Sequence, residues 1–273
     1  MQNNITASIV VFKNNPVFLS KAIGCFLTGA PNGKLFIVDN SPDDSLRPLC
    51  EGDRIWYFFV GKNIGFGAAH NIAIRKAMER NCPYHVVLNP DVYFEETVLQ
   101  NLFRFMDDHQ GIGLAMPKVL YPDGRPQYLC KLLPSPLTLI SRRLGSRLKI
   151  IHARNHKYEL QFSGYNQIMD VPFLSGCFMF LRMEALKKVG LFDERIFLYT
   201  EDIDLTRRIH RHFRTVFYPH ATIYHYHERA SYKNLLTFFH HASSAVAYFN
   251  KWGWFYDPER KAINRNVLLR LSA

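Results

Sequence analysis

The chain has 273 residues, 48% hydrophobic and 21% charged, so it can bury a sizeable core and is not a disordered polymer. Its 34 Lys+Arg against 23 Asp+Glu leave a formal charge of +11, which favours an anionic partner: nucleic acid, an anionic membrane face or phosphorylated substrates. The 5 cysteines, odd in number and without a Cys-x-x-Cys pair, argue against a disulfide framework or a zinc ribbon and read as reduced filler.

No apolar run approaches the roughly 18 residues of a spanning helix, and the N-terminus lacks the positive region of a signal peptide, so a cytoplasmic location is expected. Ala7 to Phe12 reads as a buried strand, followed by Asn14-Asn15-Pro16 and a helix through Phe18, Ala22 and Phe26. A strand from Lys34 to Val38 runs into Asp39 and the loop Asn40-Ser41-Pro42-Asp43-Asp44. A third strand, Ile55 to Val60, leads through Gly61, Gly65 and Gly67 into a helix carrying Ala69, Ile72, Ala73 and Ala77. Strand followed by helix, repeatedly, predicts a doubly wound, mostly parallel sheet with helices on both faces. The glycines either let a nucleotide approach the backbone at a helix N-terminus or form a loose turn. No Gly-x-Gly-x-x-Gly follows the first strand and no Gly-Lys-Ser/Thr occurs, which weakens dinucleotide and P-loop readings.

Tyr84 to Phe94 (YHVVLNPDVYF) drives an unbroken apolar strand into Asn89-Pro90-Asp91. Asp91 at a strand's carboxyl end is a metal or phosphate-site candidate; the alternative is a turn in which Asn and Asp bond their own backbone. A helix from about Glu95 and a strand from Ile112 to Met116 follow, then a Pro-rich loop from Pro117 to Pro136. Leu137, Ile140, Leu144, Leu148 and Ile151, with basic residues between, predict an amphipathic helix weakened by Gly145, which either docks on the sheet or meets anionic headgroups or phosphates.

Val171 to Leu181 reads as a buried strand interrupted at Ser175-Gly176, where a ligand or backbone could come close. On a helix beginning near Thr200, Asp202 shares an apolar stripe with Leu205, Ile209 and Phe213, whereas Glu201, Asp204 and Arg208 fall on another face. Asp204 and Arg208 are then expected to form an ordinary exposed pair, and Asp202 to be a buried structural partner or a general base. Thr215 to Tyr218 and Thr222 to Tyr226 predict two short strands; His225 and His227 share a face, a weak zinc signal without a third ligand. The tail, residues 231–273, is helical, aromatic (Trp252, Trp254, Phe255, Tyr256) and basic, which suits a membrane interface, a packed helix or a dimer contact.

Taken in order, VDNSPDD (38–44), NIGFGAAHN (63–71), LNPD (88–91), FLSGCFMFLR (173–182), GLFDERIFLYTEDIDL (190–205) and YPHATIYHYH (218–227) closely resemble family 2 inverting glycosyltransferases, with the rhamnosyltransferase-like branch of bacterial surface polysaccharide synthesis nearest. The resemblance implies a GT-A fold over residues 1–230, a nucleoside-diphosphate sugar donor such as dTDP-L-rhamnose, UDP-galactose or UDP-GlcNAc, and Mg²⁺ or Mn²⁺. It implies a glycan or polyprenyl-diphosphate-linked acceptor in O-antigen or related synthesis, with peripheral contact at the inner face of the membrane and no nucleic acid. Asp39, Asn63, Gly65, Asn71, Asn89 and Asp91 fall on its donor side, Ser175 and Gly176 on the acceptor side, and Asp202 with Glu201 at the base. Asp91 and His225 fall at its metal. Asn89 departs from the pattern, standing where many members carry the first Asp of the metal motif. A two-carboxylate glycoside hydrolase and a basic polyanion- or membrane-binding module are the competing classes.

Overall fold

The computed structural model describes residues 5–143, 149–227 and 235–272. The elements run β1 (Ile5–Val11), α1 (Pro16–Gly29), β2 (Lys34–Asp39), β3 (Ile55–Phe59), α2 (Phe66–Glu79), β4 (Tyr84–Leu88), β5 (Val92–Phe94), α3 (Thr97–Asp108) and β6 (Ile112–Leu120). Then come β7 (Cys130–Lys131), α4 (Pro136–Arg143), α5 (Lys149–Tyr158), β8 (Met169–Asp170), β9 (Phe173–Leu174), β10 (Phe178–Arg182), α6 (Met183–Val189), α7 (Glu201–His210), β11 (Arg214–His225), α8 (Leu235–Trp252) and α9 (Pro258–Ser272). The architecture is mixed α/β: a 9-stranded sheet in the order β3-β2-β1-β4-β10-β6-β11-β5, with β8 beside β11, and a 2-stranded sheet of β7 and β9.

The parallel run spans β3, β2, β1 and β4; β2, β1 and β4 are covered on both faces, whereas β3 at the edge is only half-buried and leaves Phe59 exposed. One core lies under α1 and α3 (Leu19, Phe26, Leu99, Leu102, Phe105), the other under α2 and α7 (Ala69, Ala73, Leu205, Ile209). Beyond β4, β10 runs antiparallel to both neighbours, and β5 and β8 pair antiparallel with β11. The carboxyl ends of β2 and β4 therefore open on one edge, where Asp39 and Asn89 emerge.

Tertiary packing changed several local expectations. The apolar run from Val171 divides at Ser175-Gly176-Cys177, so β9 joins the small sheet and β10 the large one. The two strands expected around Pro219 are one, β11, with a register shift between Tyr218 and Thr222. Pro117, expected to open a loop, lies within β6 opposite Tyr218, beside that irregularity, the kind of place where a strand tolerates proline. The amphipathic segment consists of α4 and α5, with Leu144, Gly145, Arg147 and Leu148 outside the described residues. Leu137 and Ile140 on α4 are 58% and 59% exposed, so that stripe does not dock on the sheet.

The expected exposed pair on α7 is a correction. Asp204 is fully buried, its carboxylate accepting from Arg208 Nε, Trp252 Nε1 (2.8 Å) and Lys251 Nζ (2.8 Å), because α8 closes over that face. Arg207, 1% exposed, donates through both terminal nitrogens to Asp257 (2.8 and 2.7 Å) while Glu259 and the Trp252 ring cover its other sides.

Candidate active site

Asp39 ends β2 fully buried, one oxygen accepting from Ser41 N–H (2.7 Å) and the other from Tyr57 O–H (2.6 Å). Burial and that bond to the carboxylate push the Tyr57 phenol well up. Asn40 donates to Gly65 O and Asn63 Oδ1, and Asn63 Oδ1 accepts from Gly65 N–H at 3.0 Å, tying the β2 end to the start of α2. Gly65 has φ +90°, and a Cβ there would lie 2.6 Å from Phe197 O, so glycine alone lets α2 begin against the loop before α7. Asn71 lies on α2, buried. Its amide clips the loop before α7, donating to Phe192 O and Glu194 and accepting from Phe192 N–H.

The Ser175-Gly176-Cys177 turn gathers the rest. Asn89 N–H donates to Cys177 O at 2.9 Å, and Gly176 N–H donates to Asp202 Oδ2 at 2.9 Å. Adjacent residues, only about 3.8 Å apart at Cα, thus hold the ends of β4 and α7, and the segments bearing Asp91 and Asp202 meet. A Cβ on Gly176 would come 3.3 Å from Asp202 Cβ and 3.3 Å from the Phe66 ring, which makes glycine the residue for that close approach. Ser175 Oγ accepts from Cys177 N–H and braces the turn.

Asp202 keeps a partly exposed edge, and its Oδ1 accepts from Ile203 N–H. Burial pushes this carboxyl up, with Gly176 N–H and the Lys131 ammonium opposing. Glu201 is buried beside it; burial and the Asp202 charge push it well above the usual range, and its Oε2 has no hydrogen-bond partner. A buried carboxyl oxygen without a partner is affordable only in the protonated form.

Asp91 Oδ1 lies 3.2 Å from His225 Nε2, and Asn89 Nδ2 is 3.5 Å from the same nitrogen. Burial pushes the Asp91 carboxyl up, but the His225 ring, the Asp91 backbone N–H and the His227 ring together outweigh it and the net displacement is downward. Ligands at about 2.1 Å on neighbouring corners of an octahedron are about 3 Å apart, so the Asp91–His225 spacing suits one Mg²⁺ or Mn²⁺. Among the described residues no group of three His, Cys, Asp or Glu side chains could hold a metal, so Asp91 and His225 by themselves would offer at most two protein ligands. His227, expected on the same face, lies beyond the end of β11, exposed, with its ring 5.2 Å from that of His225.

Sequence reasoning missed Tyr57, Phe66, Gln127 and Lys131. Gln127 bonds His225 from the Pro-rich loop, and Lys131 on β7 stands over the Phe173 ring within electrostatic reach of Asp202. Neither lies in a motif; only strand pairing across distant segments brings them to the site.

Residues 4–238 match the family described as glycosyltransferase like family 2. The chain is 26% identical over 178 residues to the low-salt glycan biosynthesis hexosyltransferase Agl10 of Haloferax volcanii, covering 64% of this chain and 52% of that one. It is 27% identical over 229 residues to N-acetylglucosaminyl-diphospho-decaprenol L-rhamnosyltransferase of Mycobacterium tuberculosis, covering 77% and 72%. The mannosyltransferase PcManGT from Pyrobaculum calidifontis, solved with GDP-Man and Mn²⁺, superposes with a TM-score of 0.60 at 15% identity, covering 92% of this chain and 64% of that one; this likeness places the architecture with GT-A structures.

Proposed function

The chain belongs to the glycosyltransferase like family 2, and on that premise we propose that it is an inverting hexosyltransferase. The proposed reaction moves L-rhamnose from dTDP-L-rhamnose to a glycan or polyprenyl-diphosphate-linked acceptor in bacterial surface polysaccharide (O-antigen) synthesis. The name of the mycobacterial relative supports the sugar and the acceptor class; UDP-galactose and UDP-GlcNAc are the alternative donors. The observation that carries the reading is the Gly176–Cys177 turn, which joins the Asp202 carboxylate to the strand end leading to Asp91.

Asp202 is the base. Each of its oxygens already accepts one backbone N–H and keeps a lone pair for the acceptor hydroxyl proton as that oxygen attacks the anomeric carbon from the face opposite the leaving group. Glu201 retains its proton, so the pair presents a single negative charge. Asp39, Asn63, Gly65 and Asn89 shape the donor side, Asn71 holds the loop that Gly65 packs against, and Ser175 with Gly176 faces the acceptor. Asp91 and His225 are the protein ligands for a divalent cation, Mg²⁺ or Mn²⁺, which when bound neutralises charge developing on the departing diphosphate.

Residues 1–230 form the catalytic domain and 231–273 an extension that braces it; their boundary lies outside the described residues. Among the described residues no helix is long and apolar enough to cross a membrane. The proposed location is the cytoplasmic side of the membrane, in peripheral contact through the exposed aromatic turn after α8.

The test is Asp202→Asn. Transfer should fall about 10² to 10⁴-fold, while stabilisation of the protein by dTDP or UDP with Mn²⁺ in a thermal melt persists. Activity within about tenfold of wild type would remove Asp202 from the base role.

A further inference from the structure

We propose that the Lys131 ammonium, beyond Asp202 from Asp91, holds a phosphate of the acceptor's diphosphate. The proposal rests on the reading of Asp202 as the base and of Asp91 as a donor-side residue. It goes further by assigning the group that binds the acceptor's charge.

Residues 173–177 set these groups in order. At one end Phe173 pairs with Lys131 across the small sheet, and Lys131 Nζ stands 5.1 Å from the Phe173 ring centroid. Next, Gly176 N–H holds Asp202 Oδ2, and Thr206 Oγ1 donates to Leu174 O, so α7 is tied along the same stretch. At the other end Cys177 O accepts from Asn89 N–H, two residues before Asp91. A hydroxyl that displaces a diphosphate with inversion enters opposite the leaving group. With the departing diphosphate at Asp91 and the hydroxyl at Asp202, the space toward Lys131 belongs to the incoming molecule.

The ammonium is unclaimed there. It carries three donors, and no described residue takes a hydrogen bond or ion pair from it. Glu159, the nearby acid, is already filled: Oε1 accepts from Arg142 and Oε2 from Gln161 Nε2 at 2.7 Å. Burial and the Arg142 guanidinium push Lys131 down from the usual lysine range, with the Glu159 and Asp202 carboxylates opposing, so an oxyanion seated beside it would favour its charged form. The Asp202 charge acts on Lys131 without a bond between the two, and a diphosphate on the anomeric carbon of the accepting sugar is likewise one ring's width from the attacking hydroxyl. A compact ammonium suits a phosphate as a point charge.

The test measures equilibrium binding by isothermal titration calorimetry, without turnover, in wild type, Lys131→Met and Lys131→Arg. The probe is geranyl diphosphate, titrated in saturating dTDP and Mn²⁺ so that the donor side is filled; dTDP with Mn²⁺ is titrated separately. Wild type should bind the probe. Lys131→Met should weaken that binding roughly 10- to 100-fold, the loss of a charge-assisted bond, and Lys131→Arg, which keeps the charge, should retain most of it. Affinity for dTDP should match wild type in both variants. No probe binding by wild type, or unchanged probe affinity in Lys131→Met, overturns the proposal. Weaker dTDP with the probe unmoved puts Lys131 on the donor side, and equal loss of both ligands makes it merely structural; either result also overturns it. Full transfer by Asp202→Asn would sink the base reading, a failure that this binding measurement keeps separate.

Discussion

At the scale of single residues, the proposed role of Asp202 as base ties the working pH to its proton affinity. Its carboxyl is pushed up to about 6, burial outweighing the Gly176 N–H and the Lys131 ammonium. A base must be ionised to act, so kcat/KM should rise with pH through about 6 and then level off. Lys131 Nζ stands 5.1 Å from the Phe173 ring centroid and has no ion-pair partner among the described residues, since Arg142 takes Glu159 at 2.5 Å. Its charge favours ionised Asp202, so Lys131→Met should move the rising limb of the pH–rate profile to higher pH. A limb that stays in place would show that Lys131 does not tune the base. Asp202 was legible from the sequence because it shares a helical stripe with Leu205 and Ile209; Lys131, from a separate sheet, was not.

At the scale of elements, α7 is held from both ends. The 175–177 turn grips its first turn through Asp202, and α8 with the segment opening α9 grips the opposite face through Trp252, Asp257 and Glu259. The Arg207–Asp257 pair is buried on both sides, 1% and 3% exposed. Removing one partner of such a pair costs about 3–5 kcal/mol, toward the lower end here because Glu259 still pairs with Arg207 at 2.6 Å. Asp257→Asn should therefore lower Tm by on the order of 10 °C, measured by calorimetry; a loss under about 1 kcal/mol would mean that the C-terminal helices cover α7 without bracing it. Helical periodicity cannot foresee this, because Asp204 and Arg208 read as polar-face residues until a second layer is laid over them.

At the scale of the whole molecule, the +11 charge and the exposed aromatic turn favour an anionic surface. Phe255 and Tyr256 are 89% and 80% exposed, yet the turn is fixed, with Gly253 at φ +98° and Asp257 locked to Arg207. Phe255→Ser with Tyr256→Ser should reduce binding to phosphatidylglycerol vesicles in a flotation assay by roughly tenfold or more, as two rings leave the interface. Equal flotation of variant and wild type would remove this turn from any membrane contact. The sequence by itself determined the unbroken apolar strands, the acids and amides that end them, the glycines at close approaches and the helix that presents Asp202, because pattern and turn chemistry act within a few residues. Only the tertiary structure decided that one apolar run serves two sheets, that Asp204 and Arg207 are interior, and that Gln127 meets His225. Each of those depends on which distant segment closes over a residue, and local periodicity carries no record of that.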